Sequence, residues 1–159
     1  MAKRGVLKRL ADAVQHAAAG ARRQLGLARS ANDAEYLRVG RTGEDAAAAH
    51  LRGEGLEIVA RNARVMIGEA DIVAREGEVF VVVEVKTRLR DAAAPDMSNA
   101  VAPEASVTRA KMGKLRRIGA WLAKRNGWNA WRIDVVAVEV RREGKELKVE
   151  SVRWLREVR

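Results

Sequence analysis

Val79-Phe80-Val81-Val82-Val83-Glu84-Val85-Lys86-Thr87-Arg88 is the stretch on which the fold turns. From Val79 to Val85 every position except Glu84 is apolar. A β-branched run of that kind predicts a buried central strand rather than an edge. Strand side chains alternate between faces, so Glu84, Lys86 and Arg88 share one face. Just upstream, Gly68-Glu69-Ala70-Asp71-Ile72-Val73 belongs to a second predicted strand, Glu69–Ala74, with Glu69 and Asp71 on one face. The turn Arg75-Glu76-Gly77-Glu78 makes the two strands antiparallel neighbours, which brings Asp71 close to Glu84 across the ladder.

Outward from this pair, Arg41-Thr42-Gly43-Glu44-Asp45 opens a helix, with Thr42 as its cap and Asp45 as the capping-box carboxylate. Ala46–Leu51 continue it, and Gly53 and Gly55 end it. Leu56–Ala60 reads as a strand. Leu89–Val107 holds both prolines and reads as a long mobile loop. Thr108 caps a second helix through Arg125, with Leu115, Ile118 and Leu122 turned inward. Trp131–Val140 is a strand, Glu143-Gly144 a turn, and Lys145–Leu155 the last strand. The order is helix, three strands, helix, two strands: an α/β domain with a mixed sheet.

At 159 residues the chain is long enough for one domain with a sizeable core. Cysteine is absent, which excludes a disulfide scaffold, a Cys-bound zinc site and a Cys nucleophile. With only His16 and His50 present, any metal must be held mostly by carboxylates, which favours hard ions such as Mg2+ or Mn2+. The formal net charge of +10 suits a polyanionic partner, nucleic acid first and an anionic membrane surface second, and charge alone does not choose DNA over RNA. Met1–Val39 carries eight Lys/Arg against three Asp/Glu, half of that excess in a quarter of the chain. Leu7, Leu10, Val14, Ala17, Ala18, Ala21 and Leu25 recur at helical spacing there, so residues 1–39 read as a basic amphipathic helical extension and 40–159 as the main domain. The extension suits nucleic acid, a partner, or contact with an anionic membrane surface. No secretory signal or membrane-spanning stretch is apparent, and a cytoplasmic location is the expectation.

A carboxylate and an ammonium in a buried strand are costly unless they pair or bind a metal. Two carboxylates brought together repel, and a divalent cation relieves the repulsion while polarising a phosphate oxygen. A lysine two residues on can orient the attacking water, help deprotonate it, or stabilise charge on phosphorus. The bland alternative is a salt-bridged strand pair in which Lys86 neutralises Asp71 or Glu84.

These residues fall into blocks that resemble the YraN-like family of small bacterial proteins. The blocks are Gly43-Glu44-Asp45-Ala46-Ala47, Arg61-Asn62 with Arg64, Gly68–Val73, Val83–Arg88, Val107-Thr108 with Lys111, and Arg132-Ile133-Asp134-Val135-Val136. They cover Val39 to Leu155, about three-quarters of the chain, and are specific only jointly. The resemblance implies a restriction-endonuclease-like core of the PD-(D/E)XK type, distantly similar to archaeal Holliday-junction resolvases. It also implies metal-dependent hydrolysis of DNA, structured or branched, by a homodimer. Asp71, Glu84 and Glu44 would be metal ligands together with the Val85 carbonyl, and Lys86 would be the catalytic lysine. Glu69 belongs to the motif as an accessory group, and Arg64, Arg88 and Lys111 would contact phosphates. The resemblance leaves Met1–Val39 unaddressed. A nucleic-acid-binding protein with an idle site is the competing reading.

Around this site, Lys111, Lys114, Arg116, Arg117, Lys124 and Arg125, together with Arg109, form either a candidate phosphate-binding helix face or a solvated helix surface. Trp121, Trp128 and Trp131 read as core or interface anchors ahead of base-stacking platforms. Asp134 is expected to pair with Arg132 or to support the site from behind.

Overall fold

The computed structural model describes residues 31–91 and 108–158. Helix α1 is Ala31–Gly53 and α2 is Arg109–Asn126. The strands are β1 Glu57–Val65, β2 Gly68–Glu76, β3 Val79–Asp91, β4 Trp131–Glu143 and β5 Glu146–Leu155. They form one five-stranded sheet in the order β1-β2-β3-β4-β5. Every neighbouring pair is antiparallel except β3 and β4, which are parallel and joined through α2. The expected α/β architecture with a mixed sheet between helices is thus the one observed, and it is consistent with a restriction-endonuclease-like core.

Alternation along β3 splits the core into two layers. Val81, Val83 and Val85 face α1, where they pack with Ala47, Ala48 and Leu51 and with Val136 and Val138 of β4. Val82 faces α2, packing with Met112, Leu115, Ile118 and Leu122 and with Ile133. Both helices therefore bury one stripe against a sheet whose central strand is apolar on both faces. The three tryptophans join the α2 layer. Trp128 is buried and stacked on Phe80, with ring centroids 4.3 Å apart. Trp121 and Trp131 pack half-buried beside it.

Several boundaries differ from the local sequence signals. Helix α1 begins at Ala31 rather than at Arg41. Thr42 is an interior residue whose hydroxyl donates to the Arg38 carbonyl at 3.0 Å, so it does not cap. The upstream turns are tied to the β4–β5 hairpin instead: Glu35 pairs with Arg142 at 2.5 Å and Arg38 donates to the Lys145 carbonyl at 3.1 Å. Of the basic amphipathic extension expected over residues 1–39, residues 1–30 lie outside the described residues, and 31–39 form the first turns of α1. Leu89–Asp91, expected in the loop, continue β3, because Leu89, Arg90 and Asp91 pair with Val140, Arg141 and Arg142 of β4. The rest of that loop, 92–107, is also outside the described residues. Strand β1 runs past Ala60 to Val65 through a register shift near Ile58 and Ala60 and a left-handed Asn62 (φ 50°). The second helix follows its caps: the Thr108 hydroxyl accepts from Lys111 N–H at 3.2 Å, and Gly127 closes the end at φ 67°.

Two features fix how the layers sit. Gly43 of α1 lies directly on Thr87 of β3, and a methyl group at Gly43 would overlap the Thr87 side chain. Asp134 of β4 is fully buried and saturated with donors: Arg132 Nε at 2.9 Å, Trp154 Nε1 at 3.0 Å and the Glu157 N–H at 2.9 Å. Arg132 also holds Glu76 of β2 at 2.7 Å, with Arg156 on the same carboxylate at 2.5 Å. Those two guanidinium groups keep Glu76 below the ordinary carboxylate range. The network ties β2, β4 and the end of β5 together on the sheet face opposite Glu84, since Asp134 is in register with Val83.

Two substitutions test these constraints by denaturant unfolding. Gly43→Ala should lose about 1–3 kcal/mol through overpacking, and adding Thr87→Ala should recover part of it. Asp134→Ala should lose about 3–5 kcal/mol, because it strips buried Arg132 of one of its two carboxylate partners and leaves Trp154 Nε1 and the Glu157 N–H without an acceptor.

Candidate functional site

The β2–β3 ladder runs from Glu76↔Val79 to Ile72↔Val83 and stops one residue short of pairing Asp71 with Glu84. The strands part there. A buried N–H left unpaired at such a fork is costly, and the sequence supplies its acceptor. Asp71 Oδ2 accepts from Val85 N–H at 2.7 Å. The same bond that closes the fork draws the Asp71 carboxylate inward.

Glu84, the next residue of β3 beyond the last pair, is only 2% exposed. Two ammonium groups reach it. Lys86 Nζ lies 3.1 Å from Oε1, and Lys111 Nζ of α2 lies 3.0 Å from Oε2. The Lys111 contact has the distance of an ion pair without the alignment of a hydrogen bond, and Oε2 is a buried acceptor with no hydrogen-bond donor. The salt-bridged arrangement weighed from the sequence is therefore present for Glu84. It does not extend to Asp71, whose carboxyl group is raised from 3.8 to about 7. Burial is the main cause and the neighbouring Glu84 charge the second. The Val85 N–H and Lys111 act against them, and Glu44 adds a smaller upward push.

Glu44 approaches from α1. The close seat of Gly43 on Thr87 brings this part of the helix onto β3. Its carboxylate is held by β1, where left-handed Asn62 donates to Oε2 at 3.1 Å and Arg61 Nη2 stands 3.5 Å away. Arg61 also grips Asp45 at 2.6 Å. The Arg61-Asn62 block thus positions the acidic end of the Gly43-Glu44-Asp45 block. Asp71 and Glu84 come together, with Lys111 reaching Glu84 from α2 and Glu44 on α1 near enough to add a small upward push on Asp71.

Other sequence-predicted residues go elsewhere. The Glu69 carboxylate turns across the hairpin to Arg64, which donates from Nε at 2.8 Å, so each of these two is engaged by the other. Lys114 lies along Gly68 at the start of β2. Arg88 sits on β3 in register with Glu139. Val85 pairs with Val136 in the sheet while its N–H serves Asp71. Among the described residues no set of three His, Cys, Asp or Glu converges into a metal cage. The protein donors suited to a hard cation are the Asp71–Glu84 pair, including the orphaned Oε2, with Glu44 nearby. The role sequence reasoning missed is that of Lys111, taken as a phosphate contact and found on Glu84. Its spacing from the Thr108 cap places it one turn into α2, but no local signal says what that turn meets.

A mixed sheet parted at its centre, with two carboxylates and a lysine at the fork, defines an α/β protein with a restriction-endonuclease-like core. Its place among known proteins is narrower. The profile of the uncharacterised protein family UPF0102 matches residues 43–138, and the chain belongs to that family, the YraN-like family that the motif blocks resemble. Relatives bearing the name UPF0102 protein include one from Beutenbergia cavernae, 45% identical over 117 residues, covering 72% of this chain and 92% of the relative. Another, from Mycolicibacterium vanbaalenii, is 43% identical over 106 residues, covering 65% and 82%. A third, from Geotalea uraniireducens, is 41% identical over 112 residues, covering 69% and 83%. Among the described residues no helix is long and apolar enough to cross a membrane.

The Asp71 environment gives a pH signature. In metal-free protein the folded state keeps a proton on Asp71 up to about pH 7, whereas the unfolded chain releases it near 3.8. Between those values the folded state binds more protons, so this residue's contribution to stability falls as pH rises through the window and is flat above it. Asp71→Asn retains an acceptor for Val85 N–H without the charge. Thermal melts in EDTA should show the variant more stable than wild type at pH 8, the difference shrinking towards pH 4. A difference constant with pH would contradict the assignment.

Proposed function

We propose that this protein is a metal-dependent nuclease that hydrolyses phosphodiester bonds in DNA, with structured or branched DNA as its substrate class. The observation that carries the reading is the pairing of half-buried Asp71 with buried Glu84 at the strand fork. It combines a carboxyl group raised first by burial and then by the Glu84 charge with a carboxylate oxygen that has an ion-pair partner in Lys111 but no aligned hydrogen bond. Such a pair is short of positive charge on its Asp71 side, and all its donors are oxygens, which fits Mg2+ or Mn2+. Asp71 and Glu84 would hold the ion, joined by the Val85 carbonyl and Glu44. The ion would supply Lewis-acid polarisation of a phosphate oxygen and a more acidic bound water.

The chain's own groups do the rest. Lys86, anchored 3.1 Å from Glu84, keeps an ammonium group beside the carboxylate pair, where it can orient the attacking water or neutralise charge building on phosphorus. Lys111 shares Glu84 and can turn to a phosphate once a cation replaces it there. Arg64, Arg88 and Lys114 supply further phosphate contacts, and the +10 net charge favours a polyanionic substrate. By analogy with branched-DNA nucleases of this fold, the working unit would be a homodimer.

A specific observation favours a second reading. Glu84 already has two ammonium partners, and no three-residue acidic cluster forms among the described residues. That arrangement suits a nucleic-acid-binding protein whose site does not turn over. A cleavage assay separates the two. Purified protein is incubated with Mg2+ or Mn2+ and duplex, single-stranded, flapped or four-way-junction DNA, alongside Asp71→Ala and Lys86→Ala. The nuclease reading expects metal-dependent cutting, abolished in Asp71→Ala and reduced at least ~100-fold in Lys86→Ala with binding retained. Tight, salt-sensitive binding without cutting on any substrate would favour the idle site.

A further inference from the structure

Strands β1 and β2 are joined by a two-residue turn, Met66-Ile67, between the paired residues Val65 and Gly68. Tight hairpin turns favour Asn, Asp and Gly, which accept positive φ and expose polar groups. This one has neither. Met66 and Ile67 both keep negative φ, and Gly68 alone takes an unusual backbone conformation, at φ 152°. The result is an apolar tip with Met66 94% exposed and Ile67 44% exposed. A local rule broken with no packing gain marks a place to look for function.

The surroundings of the tip identify its partner. Gly68 carries the Lys114 side chain of α2 against it, so an ammonium group flanks the turn. Arg64, two residues before Met66, is half exposed on the other strand. The tip also lies at the end of the sheet that carries the strand fork. Asp71 lies three residues along β2 from Gly68 at the foot of the turn, roughly 10 Å of extended strand. An apolar point with Lys114 on one side and the half-exposed Arg64–Glu69 ion pair on the other, projecting beside a site suited to phosphodiesters, has the composition of a side-chain wedge that enters a base step while Lys114 holds a phosphate. A second copy of the chain fits poorly, because a two-fold contact at the tip would set Lys114 and Arg64 near their own counterparts.

We propose that Met66 and Ile67 form a wedge that unstacks bases of the bound nucleic acid beside the carboxylate site. This rests on the nucleic-acid part of the function proposed above, and not on turnover. The test uses the full-length protein in EDTA, where metal-dependent cleavage is blocked, with duplex and four-way-junction DNA carrying 2-aminopurine. Its fluorescence rises when the base unstacks. Wild type and Met66→Leu should raise the signal several-fold. The double variant Met66→Ser with Ile67→Ser should bind with an unchanged salt dependence and raise it little, its fold verified by an unaltered melt. Equal unstacking by the serine variant would overturn the wedge, as would wild-type binding without unstacking, or no binding. A change in oligomeric mass in the serine variant would overturn it in favour of a self-contact. Loss of binding to anionic vesicles, without any nucleic-acid unstacking, would overturn it in favour of a lipid surface. Unstacking without cleavage in any metal would leave the wedge standing and remove the nuclease.

Discussion

The site depends on a single structural fact: β3 stays with β4 and parts from β2. Pairing with β4 continues from Phe80↔Trp131 to Asp91↔Arg142, whereas pairing with β2 ends at Ile72↔Val83. Beyond that point the inner edge of β3 carries backbone groups in a buried setting. The Val85 N–H takes the Asp71 carboxylate as its acceptor. A carboxylate is a stronger acceptor than a carbonyl, but here it must sit beside Glu84 with little water. Closing the fork and crowding two acids are therefore one event. The hydrogen bond compensates Asp71 only partly, which is why burial and Glu84 still dominate its ionisation.

The protein contains an internal control for that imbalance. Glu84 and Asp134 are its two buried acids among the described residues. Asp134 has Arg132, Trp154 and a backbone N–H arranged around both oxygens. Nothing more is needed there, and the network serves to lock β2, β4 and β5 together. Glu84 has two flexible ammonium partners and an oxygen without a hydrogen bond. Fully satisfied buried groups are structural by default, and partly satisfied ones call for another explanation. The difference also separates the two sheet faces: Asp134 works on the α1 side and Glu84 on the α2 side.

Much of this was legible in the sequence because it rests on short-range periodicity. The apolar run Val79–Val85 announced a central strand, its turn to β2 set Asp71 opposite Glu84, and Thr108 and Gly127 bounded α2. What could not be read depends on distant partners. The upstream half of α1 is held by Arg142 and by the Lys145 carbonyl, more than a hundred residues away. The left-handed Asn62 makes sense only once Glu44 is above it. Glu69 shares its strand with Asp71, but its carboxylate is captured by Arg64 across the hairpin, a cross-strand pairing that alternation alone does not rank against the site. Lys111 reaches Glu84 because α2 crosses the sheet at that height, and helix periodicity carries no information about height.

The charges at the fork explain why the catalytic and binding readings share one surface. With a proton on Asp71, Glu84 is a single carboxylate facing Lys86 and Lys111, so the immediate site carries excess positive charge. With Asp71 ionised and a divalent cation held, the two carboxylates would be balanced by the ion, and the two ammonium groups would remain. In either state Lys86 and Lys111 would be the groups that meet a phosphate, which is why both proposals use the same surface. The readings divide at one step, whether Asp71 would release its proton to solvent in exchange for a cation. Lys111 bears on that step because it occupies Glu84 from α2 and stands just past the Thr108 cap. The Thr108 cap that starts α2 is also what holds Lys111 over Glu84, so one helix end serves both the fold and the charge balance at the fork.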